Sequence, residues 1–304
     1  MDGLSDLEIT SVTVVGGTPS YALLGVQCTI RNPSNVSMLE IGDCYFSLYY
    51  SPPKHRSRVH SAPLTNGLRM ENASLATIYM ENLTLKPGAN VVDSICYFTV
   101  PPKETNPQDH AAALTILSNF IRGIPTPDII ISGHPTKSSQ VPYLRPALTS
   151  LRVVTTLPGL PPSEKMIKTT KMVLNPIKAA ASLLSLSSPT KLEMYNPFDV
   201  QVTVLKMISG VTYQGTKLGT VNVDFMDPTS KLLPIKIPPK QTVTSPTLKL
   251  ALNVGVGALT AIFEAAGGRL EVDIDAILDV KTGEYVIEGL AYKQEKVPVS
   301  LSFN

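Results

Sequence analysis

A strand pattern built around an Asn-Pro pair occurs twice in this chain, and it limits the fold more than any other feature. In the second half, residues 192–219 alternate between apolar and polar side chains on both sides of Asn196-Pro197. Placing Asn32-Pro33 on Asn196-Pro197 aligns a matching pattern in the first half. Proline has no amide hydrogen to donate within a sheet, so each pair marks the border between two strands. The sequence therefore predicts a tandem repeat of a β-rich domain.

The length and composition agree with two domains of ordinary size. The chain has 304 residues, of which 43% are hydrophobic, enough for two packed cores. Only 16% are charged, against about 25% in typical soluble domains. The proline-rich stretch 158–165 is typical of a stiff linker between a first domain at 1–158 and a second at 166–304. Many strands and one helix per copy predict an all-β fold of two tandem antiparallel β-sandwiches.

Each copy contains one segment of helical rather than alternating character. Residues 110–121 and 257–266 are rich in Ala and Leu, and nearly every position is apolar. A helix that is hydrophobic all round must be covered on more than one side, so each is predicted to lie between its sheet and another layer. Two interpretations stay open: the apolar side chains fill the core, or one side lines a groove that accepts an acyl chain. The candidates for this lipid groove are Leu114, Leu117, Phe120 and Ile121 in the first copy, and Leu259, Ile262 and Phe263 in the second.

The cysteines are predicted to be small buried hydrophobes. The three of them, Cys28, Cys44 and Cys96, all lie in the first copy and show no CxxC spacing, so a zinc site is not indicated. Their counterparts in the second copy are all aliphatic: Leu192, Ile208 and Leu248. A cysteine that replaces an aliphatic residue is typical of a core position. One disulfide remains the alternative.

The net charge and the targeting signals of the sequence limit which binding partners and which cellular compartments fit this chain. A net charge of +2 without a long basic block argues against nucleic acid as a partner. No apolar stretch reaches the roughly 20 residues that a membrane-spanning helix needs, and the first ten residues do not resemble a signal peptide. Three glycosylation sequons, at Asn35, Asn72 and Asn82, favour a secretory lumen or the cell exterior. We therefore expect a targeting or anchoring segment outside this numbering.

Motifs for catalysis, cofactors and metals are weak. Gly255 and Gly257 before a predicted helix imitate a dinucleotide fingerprint, but the third glycine is missing and the first copy has no glycine there. The four histidines lack metal-ligand spacing, and no GxSxG motif is present. Asp273 and Asp275 alternate on one strand face, as solvent-facing carboxylates do. The sequence predicts a protein that is not an enzyme and has no cofactor and no metal site.

The order of these features resembles a known family. An Asn-Pro break between two strands is followed by Tyr213-x-Gly215-x-x-Leu218-Gly219, a proline-bearing turn, a strand, an apolar helix and closing strands. This order is similar to that of the LEA-2 family, also called the water stress and hypersensitive response (WHy) domain. The tandem form resembles fungal LEA-2-like proteins of the vacuolar lumen and cell surface. The first copy departs from the pattern because residues 51–60 replace the glycine turn.

The resemblance implies a non-enzymatic lumenal or extracellular module that binds or handles lipid in an apolar groove between sheet and helix. Lipid or a membrane surface would then be the partner. The alternative is a structural or interaction protein of the cell surface or of an extracellular fibre. Such a protein would self-associate through the exposed edges of its sheets.

Overall fold

A computed structural model describes residues 7–33, 35, 39–50, 74–174, 187–253 and 270–303. The chain divides into two compact units, residues 1–160 and 161–304. Both units are built mainly of strands, so the predicted all-β fold of two sandwich-like parts is confirmed. The helix predicted at 257–266 lies outside the described residues.

In the first unit, the described residues form a seven-stranded antiparallel sheet that curves into a half-barrel. Its strand order is β1-β2-β5-β4-β3-β6-β7. The elements are β1 (Leu7–Gly17), β2 (Ala22–Asn32), β3 (Leu39–Tyr50), β4 (Ala76–Leu85), β5 (Gly88–Phe98), α1 (Pro107–Ile121), β6 (Thr126–Gly133), α2 (Arg145–Thr149) and β7 (Arg152–Leu157). Strand β2 alternates between buried residues and half-buried or exposed ones, with Leu24, Val26 and Cys28 facing the core. This period of two places every second side chain of β2 inside.

The described residues of the second unit form nine strands, seven of which close into a barrel. The ring order is β8-β9-β14-β11-β10-β15-β16, and β16 then pairs with β8. Strand β12 pairs with β10, and β13 pairs with β9. The elements are β8 (Ile167–Leu174), β9 (Ser187–Tyr195), β10 (Val202–Tyr213), β11 (Thr216–Asp224), β12 (Ile235–Ile237), β13 (Thr242–Thr244), β14 (Leu248–Leu252), β15 (Leu270–Thr282) and β16 (Tyr285–Phe303). The β16–β8 pair is parallel, where the sequence predicted antiparallel pairs throughout.

The two units have the same strand order. When the strands are matched around the two Asn-Pro pairs, the order β1-β2-β5-β4-β3-β6-β7 of the first unit corresponds, strand by strand, to the order β8-β9-β14-β11-β10-β15-β16 of the second. Two strands are interrupted in the second unit. The counterpart of β4 is divided into β11 and β12 by the loop 225–234, and the counterpart of β5 is divided into β13 and β14 by residues 245–247. The units differ most in their last strand, because β7 has 6 residues and β16 has 19.

Local backbone preferences explain two segments, one that differs from the sequence-based expectation and one that agrees with it. The residues at 147–157 predict a closing strand of the first copy, but residues 145–149 form α2, whose first turn contains Pro146. Proline favours the first turn of a helix, where no amide hydrogen is needed. The hairpin turn between β10 and β11 forms as predicted, with φ of 46° at Gln214 and 79° at Gly215. Two successive positive φ values are typical of the tight turns that match the twist of a β-hairpin.

Candidate apolar ligand site

The helix α1 of the first unit places its candidate groove residues mainly in the core. It begins where the Asn106 side chain accepts a hydrogen bond from the Asp109 amide at 3.1 Å, and it ends before Gly123, whose φ is 74°. Leu117 and Phe120 are buried, whereas Leu114 and Ile121 are half-buried. Ala111 and Thr115 form an exposed stripe on the helix, whereas Ala112, Ala113 and Ile116 are buried. The second-copy candidates, Leu259, Ile262 and Phe263, lie outside the described residues.

A closed apolar cavity lies inside the barrel of the second unit. Its volume is about 30 Å³, and each of the seven ring strands contributes to its wall. Four methionines line it, and all four are at most 6% exposed: Met166, Met172, Met194 and Met207. Leu192, Leu250, Ile274, Ala276 and Leu278 complete most of the apolar surface. Methionine is unbranched and has three rotatable bonds, so a methionine wall adapts its shape more readily than a wall of branched residues.

A few polar groups reach this interior. The hydroxyl oxygen of Thr170 on β8 is buried, and no group in the described part of the chain forms a hydrogen bond with it. Ser209 and Thr190 also lie in the cavity wall. A buried hydroxyl without a partner costs about 1–3 kcal/mol. A polar ligand atom placed beside Thr170 would form the missing hydrogen bond and remove this free-energy cost.

A hydrogen-bond network at one side of the cavity joins β16 to the start of β8. The Tyr292 hydroxyl donates to the Gln294 side-chain oxygen and accepts from the Met166 amide at 3.3 Å. The same Gln294 oxygen accepts from the Ile167 amide at 3.1 Å, and the Gln294 amide group donates to the Ile167 carbonyl at 2.7 Å. Both side chains are buried. The network fixes the two strands at the point where the barrel closes.

This network predicts a loss of stability at high pH. Burial raises the pKa of Tyr292 to about 12, although the two amides that face its hydroxyl act in the opposite direction. A raised pKa in the folded state means that the neutral phenol favours folding below the unfolded-state pKa of about 10. We expect the free energy of unfolding to fall as the pH rises from 10 to 12, and Tyr292→Phe to reduce that fall. Chemical denaturation of both proteins across this pH range measures the difference, and equal slopes would contradict the assignment.

The other side chains singled out in the sequence have structural roles or are solvent-facing. Cys28, Cys44 and Cys96 are free and buried, so the disulfide alternative is not realised, and burial raises the pKa of each thiol. The sequon residues Asn35 and Asn82 are exposed, whereas Asn72 lies outside the described residues.

The histidine and aspartate side chains singled out in the sequence also form hydrogen bonds with backbone groups. The ring of His110 makes a hydrogen bond with the Pro101 carbonyl at 2.8 Å, and the ring of His134 accepts from the Lys137 amide at 3.2 Å. Asp273 accepts from the Lys296 amide at 3.0 Å. Among the described residues, no group of three or more His, Cys, Asp or Glu side chains is arranged to hold a metal ion. The described helices include none with the length and apolar character needed to cross a bilayer.

The barrel cavity was not predicted from the sequence. Met172, Met194 and Met207 lie at inward positions of β8, β9 and β10, and Met166 lies just before β8. In the sequence they look like any other buried residues of a β-rich chain. The one available signal is compositional: four of the nine methionines lie within residues 166–207. Since nothing in a local pattern shows whether a sheet closes, the cavity itself required the tertiary structure.

Comparisons with known proteins identify no family for this chain. No family model matches it, and no curated protein matches it. Among solved structures, it is similar to a protein from Archaeoglobus fulgidus with 13% identity and a TM-score of 0.25, covering 43% of this chain and 94% of that one. A second similar structure is the BSP domain of a biofilm-associated protein, with 10% identity and a TM-score of 0.14, covering 96% of this chain and 60% of that one. Likenesses this distant carry no argument about function.

Proposed function

We propose that this chain is a non-enzymatic binding protein whose second unit takes a lipid, or another ligand with a hydrocarbon chain, inside its barrel. The closed, methionine-lined cavity at the centre of the ring is the observation that carries the proposal. Small-molecule sites are typically concave and apolar with few polar groups. The wall of this cavity has that character, with the Thr170 hydroxyl as its unpaired polar group.

The ligand enters by displacing side chains rather than by filling an empty space. The cavity of about 30 Å³ exceeds the roughly 10–15 Å³ that one water molecule needs, but it is too small for an acyl chain. Rotation of the four methionine side chains is the expected way to enlarge it. Each methylene group transferred from water into this interior contributes about 0.8 kcal/mol. A ligand hydroxyl or carboxyl group near Thr170 would satisfy the unpaired hydroxyl.

The proposed site differs from the groove that the LEA-2 resemblance implies. That groove would lie between sheet and helix, but Leu117 and Phe120 of α1 are buried as core in the first unit. The compartment is part of the proposal: a vacuolar lumen or the cell exterior, supported by the exposed sequon residues Asn35 and Asn82. Glycan mass on Asn82 in protein isolated from its native source tests this location, and unmodified asparagine there counts against it.

Filling the cavity is expected to abolish ligand binding while leaving the fold intact. Ala276 on β15 is 3% exposed and lines the cavity. The Ala276→Leu substitution adds three carbon atoms to this space. We expect affinity for the fluorescent fatty acid cis-parinaric acid to fall at least tenfold, with the midpoint of thermal unfolding unchanged or raised, since filling a cavity commonly stabilises a protein by about 0.5–2 kcal/mol. A fluorescence titration measures the affinity.

The adjacent residue on the same strand provides the matched control. Ile277 is 43% exposed on the outer face of the barrel. Ile277→Phe adds apolar surface outside the cavity, so the affinity for the fatty acid should stay within a factor of about two. Loss of binding in Ile277→Phe with full binding in Ala276→Leu would place the ligand on the outer surface. That result would refute the proposed site.

A further inference from the structure

A loop that has no counterpart in the first unit projects from the side of β10. Strand β10 pairs first with β11 and then with β12. The Phe225 amide donates to the Leu205 carbonyl at 2.9 Å, and Ile235 pairs with Val204, the next residue along β10. Residues 226–234 therefore leave the sheet and return to it at adjacent positions. The corresponding strand of the first unit, β4, is continuous.

Hydrogen bonds within the loop fix its conformation. The Asp224 side chain accepts from the Met226 amide at 2.9 Å. The Asp227 carboxylate accepts from the amide and the hydroxyl of Thr229 at 2.8 and 2.7 Å, and the Asp227 carbonyl accepts from the Ser230 amide at 2.9 Å. Side chains of Asp commonly stabilise turns in this way. Because the loop is ordered before a partner binds, less conformational entropy is lost on binding.

This ordered loop exposes two large apolar side chains. Met226 is 62% exposed and Leu233 is 79% exposed. Among the described residues, no large hydrophobic side chain is more exposed than Leu233. Single apolar residues on a surface are ordinary, but exposed apolar residues that occur together with a groove mark interaction sites. The pair therefore favours a surface that becomes buried against a partner.

An open groove beside the loop adds positive charge to this surface. Its volume is about 370 Å³, and it lies between the loop, β12 and β13. Lys231 and Lys236 line it together with Leu233 and Val243. Both lysines are exposed, and neither forms an ion pair within the described ranges. Two cations without an acidic partner thus lie next to the most exposed leucine.

These features are typical of a membrane interface. Proteins that bind the surface of a bilayer place apolar side chains next to lysines, and anionic lipids attract the lysines. Residues 225–237 contain two lysines and one acid, Asp227, whose carboxylate is already bound to Thr229. A bilayer accepts protruding apolar side chains without a preformed pocket, whereas a protein partner needs a surface of complementary shape. The charge and the protruding leucine therefore favour an anionic bilayer.

We propose that the loop 225–234 and its groove form a docking surface for a membrane that carries anionic phospholipid. Leu233 and Met226 enter the boundary between headgroups and acyl chains, and Lys231 and Lys236 bind lipid phosphates. Salt weakens this docking because it screens exposed charges. The docking surface is independent of the ligand site inside the barrel. The cavity-filling variant Ala276→Leu should therefore bind vesicles as the wild type does.

Sedimentation with vesicles tests the two lysines. The full chain should bind vesicles of phosphatidylcholine and phosphatidylserine, mixed at a molar ratio of about two to one, and bind phosphatidylcholine vesicles about tenfold more weakly or less. Lys231→Gln/Lys236→Gln should lower the partition coefficient by about tenfold or more, since each lysine near an anionic surface contributes about fivefold. The control Lys103→Gln/Lys217→Gln removes two other exposed lysines and has the same net charge. It should lower the partition coefficient by less than about threefold.

Fluorescence tests the insertion of the loop. The chain contains no tryptophan, so Leu233→Trp supplies the only indole signal. Its emission should shift to shorter wavelength on addition of the mixed vesicles, and lipids with brominated acyl chains should quench it. Val154→Trp is the matched control, because Val154 is 66% exposed on β7 of the first unit; its emission should not change. Leu233→Ser should weaken vesicle binding by about tenfold or more and leave the midpoint of thermal unfolding unchanged.

Three results would overturn the proposal. Absence of binding between the folded wild type and the mixed vesicles would exclude membrane docking. Equal losses in the two double lysine variants would show that net charge, rather than this surface, attracts the bilayer. A dimer that forms without vesicles and that Leu233→Ser dissociates in sedimentation experiments would make a second copy of the chain the occupant of the surface.

Discussion

Replacement of Gly219 by valine is expected to unfold the second unit. Gly219 lies on β11 opposite Leu252 of β14, one of the pairings that close the barrel. A Cβ atom at this position would lie 2.4 Å from the Ala251 carbonyl oxygen, which belongs to the backbone and cannot move aside cheaply. We expect a loss of more than about 3 kcal/mol in the free energy of unfolding. Chemical denaturation followed by circular dichroism measures it, and fatty acid binding should disappear together with the fold.

Gly210 on β10 provides the control for this substitution. The nearest heavy atom to a Cβ there is the Asp275 carbonyl oxygen at 3.9 Å, an ordinary contact distance. Gly210→Ala should therefore leave stability unchanged or raise it slightly, because alanine is less flexible than glycine in the unfolded chain. If Gly219→Val were as stable as Gly210→Ala, the close approach of β11 and β14 would be wrong.

Asn196→Ala is the second substitution with a large expected effect. The Asn196 side chain is fully buried. Its amide group donates to the Val200 and Ile237 carbonyls at 2.7 and 2.9 Å, and its oxygen accepts from the Phe198 amide at 3.0 Å. Alanine leaves three backbone groups without this partner, at a cost of about 1–3 kcal/mol for each one that stays buried. We expect stability to fall by about 3 kcal/mol or more, measured by chemical denaturation.

A second asparagine serves as the control, because it shows how much the free energy of unfolding changes when an exposed side-chain amide is removed. Asn222 on β11 is exposed, so Asn222→Ala should change the free energy of unfolding by less than about 0.5 kcal/mol. Asn196→Asp should also be destabilising, because a carboxylate cannot donate to the two carbonyls and its charge would be buried. A fully stable Asn196→Asp protein would count against the hydrogen bonds assigned to this side chain.

The features that depend on local pattern were predictable from the sequence. Alternation of apolar residues identified β2 and β9, and the proline after Asn32 and after Asn196 marked where each strand ends. Aligning the Asn-Pro pairs placed Cys28 and Cys44 on aliphatic residues, a later register with Pro87 on Pro239 did the same for Cys96, and all three cysteines are buried as predicted. The counterpart of Cys44, Ile208, is 44% exposed, so the alignment does not explain the burial of Cys44. These inferences succeed because a period of two and a missing amide hydrogen act within a few residues.

The features that depend on distant pairing were not predictable. Closure of the barrel requires β16 to meet β8, which stands at the other end of the unit, and nothing in the residues of either strand specifies a parallel partner. The loop 225–234 divides one strand of the second unit, and its composition alone does not show that the strand resumes at Ile235. The cavity follows from closure, so the best candidate site was also the feature least accessible to sequence reasoning.

The methionine methyl groups give the most direct test of ligand binding inside the barrel. In a protein carrying ¹³C-labelled methionine methyls, addition of a fatty acid should shift the signals of the cavity residues Met166, Met172, Met194 and Met207. Two signals serve as internal controls and should not move: Met80, which is buried in the first unit, and Met226, which is 62% exposed. Shifts confined to Met226, or no shift in the four cavity signals at a saturating concentration, would contradict a ligand inside the barrel.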